Sequence, residues 1–151
     1  MALVGNMIAS AFAGNPSIIN YDMFVAVFAM LSLFYLIAAD YSESFIIHPM
    51  IMLGVDALNT IFFFCGAVAM AAKLQVHSCS NESYTSTNSI TNGASNTEKR
   101  CREAQASTAF LWFGFACFAT SLILTILGAR SSSINMRSGG IRRGGPAMSQ
   151  V

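Results

Sequence analysis

Charge is scarce in this chain. Only 10% of its 151 residues are Asp, Glu, Lys or Arg, where a soluble domain carries about a quarter. The deficit falls in blocks, and long uncharged blocks belong to chains that lie in lipid. A net charge of +1 gives no broad basic surface, so no nucleic-acid partner is expected. Histidine is limited to His48 and His77. They flank the central apolar run at opposite ends, so a zinc site joining them to Cys79 and Cys101 fails on geometry; no metal and no other cofactor is expected. Catalysis also lacks its parts. There is no Ser/His/Asp grouping, no glycine-rich phosphate loop and no pair of acids at a cleft, so no catalytic residue is named and no enzymatic activity is expected. The first residues, MALVGNMIASAFAG, have no basic stretch ahead of the apolar one, so they do not read as a secretory signal.

What is present is a set of apolar runs. Met50 to Ala72 carries one formal charge, Asp56. As a helix it measures about 35 Å, enough to cross a hydrocarbon core of about 30 Å. In lipid the backbone must satisfy its own hydrogen bonds, so the run is helical; Pro49 suits its first turn. Met23 to Ala39 makes about 26 Å of helix, with Asp22 as its N-cap. Ala106 to Ala129 makes a third span, with Trp112 near its start at the interface. Residues 2–13 are apolar but make only about 18 Å of helix. They read as an interfacial or re-entrant piece, or as the back half of a span. The expected fold is all-α and integral to the membrane. It is an antiparallel transmembrane bundle over 1–129, with a partial span at 2–13 and full spans at 23–39, 50–72 and 106–129.

The polar segments supply orientation. Residues 75–105 form the one long polar loop, and it holds Cys79 and Cys101, the two cysteines outside apolar runs. Disulfides persist on the oxidising side of a membrane, and Asn81-Glu82-Ser83 is a glycosylation sequon usable on that side only. These put the loop outside the cell, with a Cys79–Cys101 bond and a glycan acceptor at Asn81. The segment 130–151 is rich in Ser, Gly and Arg and holds no acid. It reads as a disordered cytosolic tail, with Arg130, Arg137, Arg142 and Arg143 held against anionic lipid of the inner leaflet.

Inside the spans, Asp56 and Asn59 share one helix face. An intramembrane acid is a functional-site candidate by default. The two readings are hydrogen-bonding glue between helices, or a proton or cation site in a small channel or transporter subunit. On the last span Gly114, Cys117, Ser121, Thr125 and Gly128 form a small-residue stripe suited to close helix approach. Leu111, Phe115, Phe118 and Leu122 are then expected to face lipid. Cys65 and Cys117 read as small packed hydrophobes.

These residues resemble a family. Asp56-Ala57-Leu58-Asn59, the run His77-Ser78-Cys79-Ser80-Asn81-Glu82-Ser83-Tyr84, Arg100-Cys101-Arg102-Glu103-Ala104-Gln105-Ala106, Phe110-Leu111-Trp112-Phe113 and the ending Ser149-Gln150-Val151 are similar to fungal MARVEL proteins of the non-classical export family. The resemblance covers nearly the whole chain, although residues 2–13 match only the end of the family's first span. It implies four spans, cytosolic termini and a cysteine-bearing external loop. It also implies a non-enzymatic plasma-membrane organiser of sterol- and sphingolipid-associated domains of the eisosome type, with a part in lipid sensing and unconventional export. Its partners would be lipids of those domains, other eisosome-type membrane proteins and further copies of the chain.

Overall fold

The computed structural model describes residues 1–12, 14–41 and 49–139. His48, the connection 42–48, Arg142 and Arg143 lie outside the described residues. Five helices follow in order: α1 (Ala2–Ala9), α2 (Ser17–Tyr41), α3 (Pro49–Leu74), α4 (Glu82–Thr87) and α5 (Thr97–Gly139). Among the described residues extended pairing is confined to an isolated bridge between Ala11 and Ala94. Three helices are long and apolar enough to cross a membrane, over Ser17–Ala38, Met50–Leu74 and Thr97–Gly128. The protein is an all-α integral membrane bundle.

The central helix is α3. It packs along α5 and against α2, while α1 rests on α5 and α2. Helices α2 and α3 run antiparallel, since Asp22 lies against Gly66 and the Phe28 and Phe62 rings meet at 5.4 Å. The elements thus form a ring, α2–α3–α5–α1, in which the short α1 fills one end of the fourth position. Val4 and Met7 of α1 are buried, in one core with Ile19, Val25, Ala67, Met70, Ile90 and Leu111. Most other large apolar side chains point outward, Phe34, Ile37, Ile61, Phe113 and Leu124 among them. In hydrocarbon such a surface carries no penalty.

Helix α2 begins at Ser17, ahead of the Met23 start expected from sequence. The Pro16 carbonyl accepts from the Ile19 and Asn20 amides at 3.0 and 3.5 Å, so proline starts the helix with its preset φ. Asp22 is therefore not a cap. It sits one turn inside, on a buried stripe of Ile19, Asp22, Val25, Ala29 and Ser32.

Two expectations for α5 are also corrected. Leu111 and Phe118 are buried and Cys117 is exposed, so the face towards α3 runs Leu111, Gly114, Phe118, Ser121. Large and small residues alternate there because ridges must enter grooves: the Phe63 ring fills the notch at Gly114 and packs on Phe118 at 5.4 Å. Cys65 is exposed as well, so neither cysteine is a packed core residue. Beyond Ala129 the helix continues through Arg130 and Arg137 to Gly139. The reading of a disordered tail from 130 therefore fails for 130–139. Ser, Asn, Met and Arg tolerate a helix once it is nucleated, and Gly139-Gly140 is the first strong breaker after Gly128.

Gly114 is the position where this packing is least forgiving. A Cβ there would stand 2.3 Å from the Phe63 ring. Gly114→Leu is expected to lower stability by about 1–3 kcal/mol through overpacking. The change should appear as a lower thermal unfolding midpoint in detergent, and a smaller side chain at Phe63 should restore part of it.

Candidate functional site

Polar side chains inside the bundle collect at two levels. At one level Asp56 of α3 is 3% exposed, and its Oδ2 accepts a hydrogen bond from Ser121 Oγ of α5 at 2.8 Å. Thr60 Oγ donates to the Asp56 carbonyl at 2.7 Å. One turn on, Asn59 is fully buried and donates through Nδ2 to the Val55 carbonyl at 3.0 Å. The remaining oxygens, Asp56 Oδ1 and Asn59 Oδ1, have no hydrogen-bond partner among the described residues. The stripe thus has a polar link at its centre, a charge-capable acceptor on α3 held by a hydroxyl on α5.

At the other level is Asp22 of α2, 1% exposed. Neither carboxyl oxygen has a hydrogen-bond partner among the described residues. Its Oδ1 comes so close to α3 that a Cβ on Gly66 would meet it at 2.8 Å. Beside it, Tyr21 donates to the Phe62 carbonyl at 3.3 Å. Ser107 of α5 is likewise buried, and its hydroxyl also lacks a partner. A cavity of about 450 Å³ opens between α2, α5 and the start of α1, and both Asp22 and Ser107 line it. Sequence reasoning missed this level because it took Asp22 for a cap. The signal was there: stepping back by threes and fours from Val25 and Ala29 reaches Asp22.

The long loop closes over this end of the bundle. Cys79 and Cys101 are joined by a disulfide with their Cα atoms 5.6 Å apart. Asn81 is exposed and caps α4, its Oδ1 accepting from the Tyr84 amide at 3.4 Å; its amide nitrogen, where a glycan would attach, takes no part in that contact. Tyr84 donates to the Leu74 carbonyl, and Asn88 Nδ2 donates to the Lys73 carbonyl at 2.8 Å, so the loop satisfies the last carbonyls of α3. Burial holds the Tyr84 phenol pKa above its ordinary value. His77 stacks on that ring at 4.5 Å. Among the described residues no cluster of His, Cys, Asp and Glu could hold a metal ion.

Arg100 is the least expected residue of this end. In sequence it sits in a mixed-charge run, yet it is 1% exposed. Its Nε donates to the Ile90 carbonyl at 2.7 Å and its Nη2 to Asn15 Oδ1 at 3.2 Å. The neighbouring charges stay outside as i,i+4 pairs, Arg102–Glu98 at 2.5 Å and Lys99–Glu103 at 3.9 Å. Arg100 shares a helix face with buried Ala104, Ser107 and Leu111, and the disulfide at the next residue turns that face inward. Phe12 donates its amide to the Gly93 carbonyl at 2.9 Å, and Gly93 has the left-handed φ of 89° that this turn requires.

The described geometry is that of a multispan helical membrane protein with buried polar links between its helices. Comparison with known proteins is consistent with this class and narrows it. Residues 1–124 match MARVEL, the membrane-associating domain, and the chain belongs to the MARVEL family. It is 33% identical over 146 residues to Non-classical export protein 2 of Saccharomyces cerevisiae, covering 91% of this chain and 81% of that protein. It is 38% identical over 161 residues to Non-classical export protein 102 of Candida albicans, covering 100% of this chain and 88% of that protein. With the Schizosaccharomyces pombe homolog of Non-classical export protein 2 it shares 31% identity over 122 residues, 81% of this chain and 65% of that protein. No solved structure matches the chain.

The disulfide encloses a sequence separation of 22. Replacing both Cys79 and Cys101 by Ser is expected to destabilise the folded loop by about 3 kcal/mol on the chain-entropy model. Limited proteolysis of membranes should then cut within 80–100 in the variant and not in the parent. Equal resistance of the two would assign the loop's order to Arg100 and the α3 caps alone.

Proposed function

We propose that this chain is a non-enzymatic plasma-membrane organiser that gathers sterol- and sphingolipid-rich lipid into eisosome-type domains. In this reading it also takes part in lipid sensing and in unconventional export, the process for which its relatives are named. The loop 75–105 faces the outside, with Asn81 open to glycosylation, and the C-terminus lies in the cytosol. Arg130, Arg137, Arg142 and Arg143 then meet anionic inner-leaflet lipid. Its partners are those lipids, other membrane proteins of the same domains and further copies of the chain.

The observation that supports an organiser over a channel or transporter subunit is the separation of the two polar levels. Asp56 and Gly66, the α3 residue beside Asp22, stand ten residues apart on α3, about 15 Å along the helix. Between them Phe62 and Phe63 turn into the core. Asp56 itself is closed by Ser121, so it acts as glue between α3 and α5. A conducting path needs polar groups in succession across the bundle, and an outer surface made almost wholly of large apolar side chains suits work done on lipid.

A fluorescently tagged chain is expected to gather in static patches at the cell periphery and to disperse when sphingolipid synthesis is blocked. Live-cell microscopy with and without the block measures it. A uniform distribution that ignores the block would contradict the organiser reading, and a potential-driven ion flux in liposomes holding the purified chain would favour the channel.

A further inference from the structure

Among the described residues Arg100 is a buried cation with no carboxylate in contact. Its hydrogen bonds go to neutral acceptors, the Ile90 carbonyl at 2.7 Å and Asn15 Oδ1 at 3.2 Å. Its Nη1 is buried and has no hydrogen-bond partner among the described residues. Buried charges are ordinarily paired, and an unmet donor on a charged group costs more than one on a neutral group. The acids nearest on its own helix are engaged elsewhere. Glu98 holds Arg102 at 2.5 Å, and Glu103 takes Asn6 Nδ2 at 2.5 Å and lies 3.9 Å from Lys99 Nζ.

Asn15, which the guanidinium touches, also lines an open cleft of about 360 Å³. Pro16 stands beside it, Ser89 and Asn92 face them from the loop, and Gly14 and Gly93 leave bare backbone at the rim. None of these residues is acidic. The two walls are pinned together by the Phe12 amide on the Gly93 carbonyl at 2.9 Å and by the Ala11–Ala94 bridge. Within the loop wall, Asn88 Oδ1 accepts from the Ile90 amide at 2.9 Å, and the buried Thr91 hydroxyl donates to the Thr85 carbonyl at 2.6 Å. A cleft so braced has little ordering left to do when it binds. It lies just ahead of Ser17, where the first span begins, so water and headgroups both reach it.

We propose that this cleft binds a phosphate-type oxyanion, with Arg100 supplying the charge and Asn15, Ser89 and Asn92 the neutral donors. Nη1 and Nη2 belong to one rigid fork, so the unmet nitrogen lies one side chain behind the cleft. Rotation of the Asn15 side chain frees Nη2, lets an anion oxygen reach the fork, and turns Asn15 Nδ2 towards the same anion. A neutral contact is thereby replaced by charge-assisted hydrogen bonds, which are roughly twice as strong. A tetrahedral anion fits better than a planar carboxylate, because the donors come from the floor and from both walls. The phosphate is either a soluble ion or the headgroup of a lipid in the leaflet at this end. The site stands apart from the organiser reading and uses neither Asp22 nor Asp56.

The test uses the full chain in maltoside micelles, with ionic strength held constant by sodium chloride. Inorganic phosphate is the first probe, and phosphatidylglycerol mixed into the micelles is the second. An anion that binds only the folded chain raises its thermal unfolding midpoint. A rise with inorganic phosphate assigns the site to a soluble ion, and a rise with phosphatidylglycerol alone assigns it to a lipid headgroup. Asn92→Asp sets a like charge in the exposed wall and is expected to weaken the binding about tenfold. Asn15→Asp supplies the missing charge from within. It is expected to raise the midpoint without any phosphate and to abolish the response to both probes. The variants are compared as monodisperse species with the Cys79–Cys101 bond intact. No response of the parent to either probe would overturn the site, as a cleft filled by water alone predicts. So would an equal response of the parent and Asn92→Asp, since the anion would then sit elsewhere. A lower midpoint for Asn15→Asp than for the parent would overturn it too, because Arg100 would then lack no counter-charge.

Discussion

Hydrocarbon offers a polar group nothing to bond with, and this bundle is arranged around that constraint. Its backbone is satisfied by helices, but Asp22, Asp56, Asn59, Ser107 and Ser121 bring polar side chains into the same medium. Each must find a partner on another helix, on its own backbone or in a ligand. Asp56 finds Ser121 at 2.8 Å, which fixes the rotation of α5 against α3. That rotation in turn brings Gly114 under the Phe63 ring and Phe118 beside it. The most extensive helix contact among the described residues, α3 on α5, is thus set in register by one hydrogen bond and one missing side chain.

The loop end obeys a different logic, because water and the membrane interface are near. There the disulfide, the buried Arg100 guanidinium and the caps that Tyr84 and Asn88 place on α3 hold a long polar segment down. Arg100 reaches Ile90 in the loop and Asn15 in the α1–α2 turn, so one cation ties three segments together at the loop end of the bundle. The two ends complement each other. The Asp56 level ties spans to spans, and the loop level ties the spans to the 75–105 loop while leaving Asp22 and Ser107 facing a gap.

Much of the fold was legible in the sequence because lipid simplifies the code. Apolar runs of about 17 residues or more with at most one charge are helices when they lie in lipid, so the three long helices were expected from the sequence. The elements that failed are those where packing decides. Asp22 was taken for an N-cap because a polar residue before an apolar run fits that role; Pro16, six residues earlier, had already started the helix. The lipid-facing and protein-facing stripes of α5 were misjudged because small size was taken as the mark of contact, whereas a Phe that fills a Gly notch makes as good a contact. Arg100 stands in a mixed-charge run, and nothing in that run marks it as the buried one. Only the disulfide beside it, together with the carbonyl of Ile90, explains why it is inside. Nothing in composition could have shown the cavity, because its walls come from three helices whose faces are set by packing.

The central physical claim is that the Asp56–Ser121 hydrogen bond couples α3 to α5 within the membrane. A double-mutant cycle with Asp56→Ala, Ser121→Ala and the pair, read as unfolding free energy in bicelles, tests it most directly. A favourable coupling of about 0.6–1.7 kcal/mol is expected, the range for hydrogen bonds between membrane helices. Strictly additive effects of the two substitutions would contradict the claim and leave the register of α3 and α5 to packing at Gly114 alone.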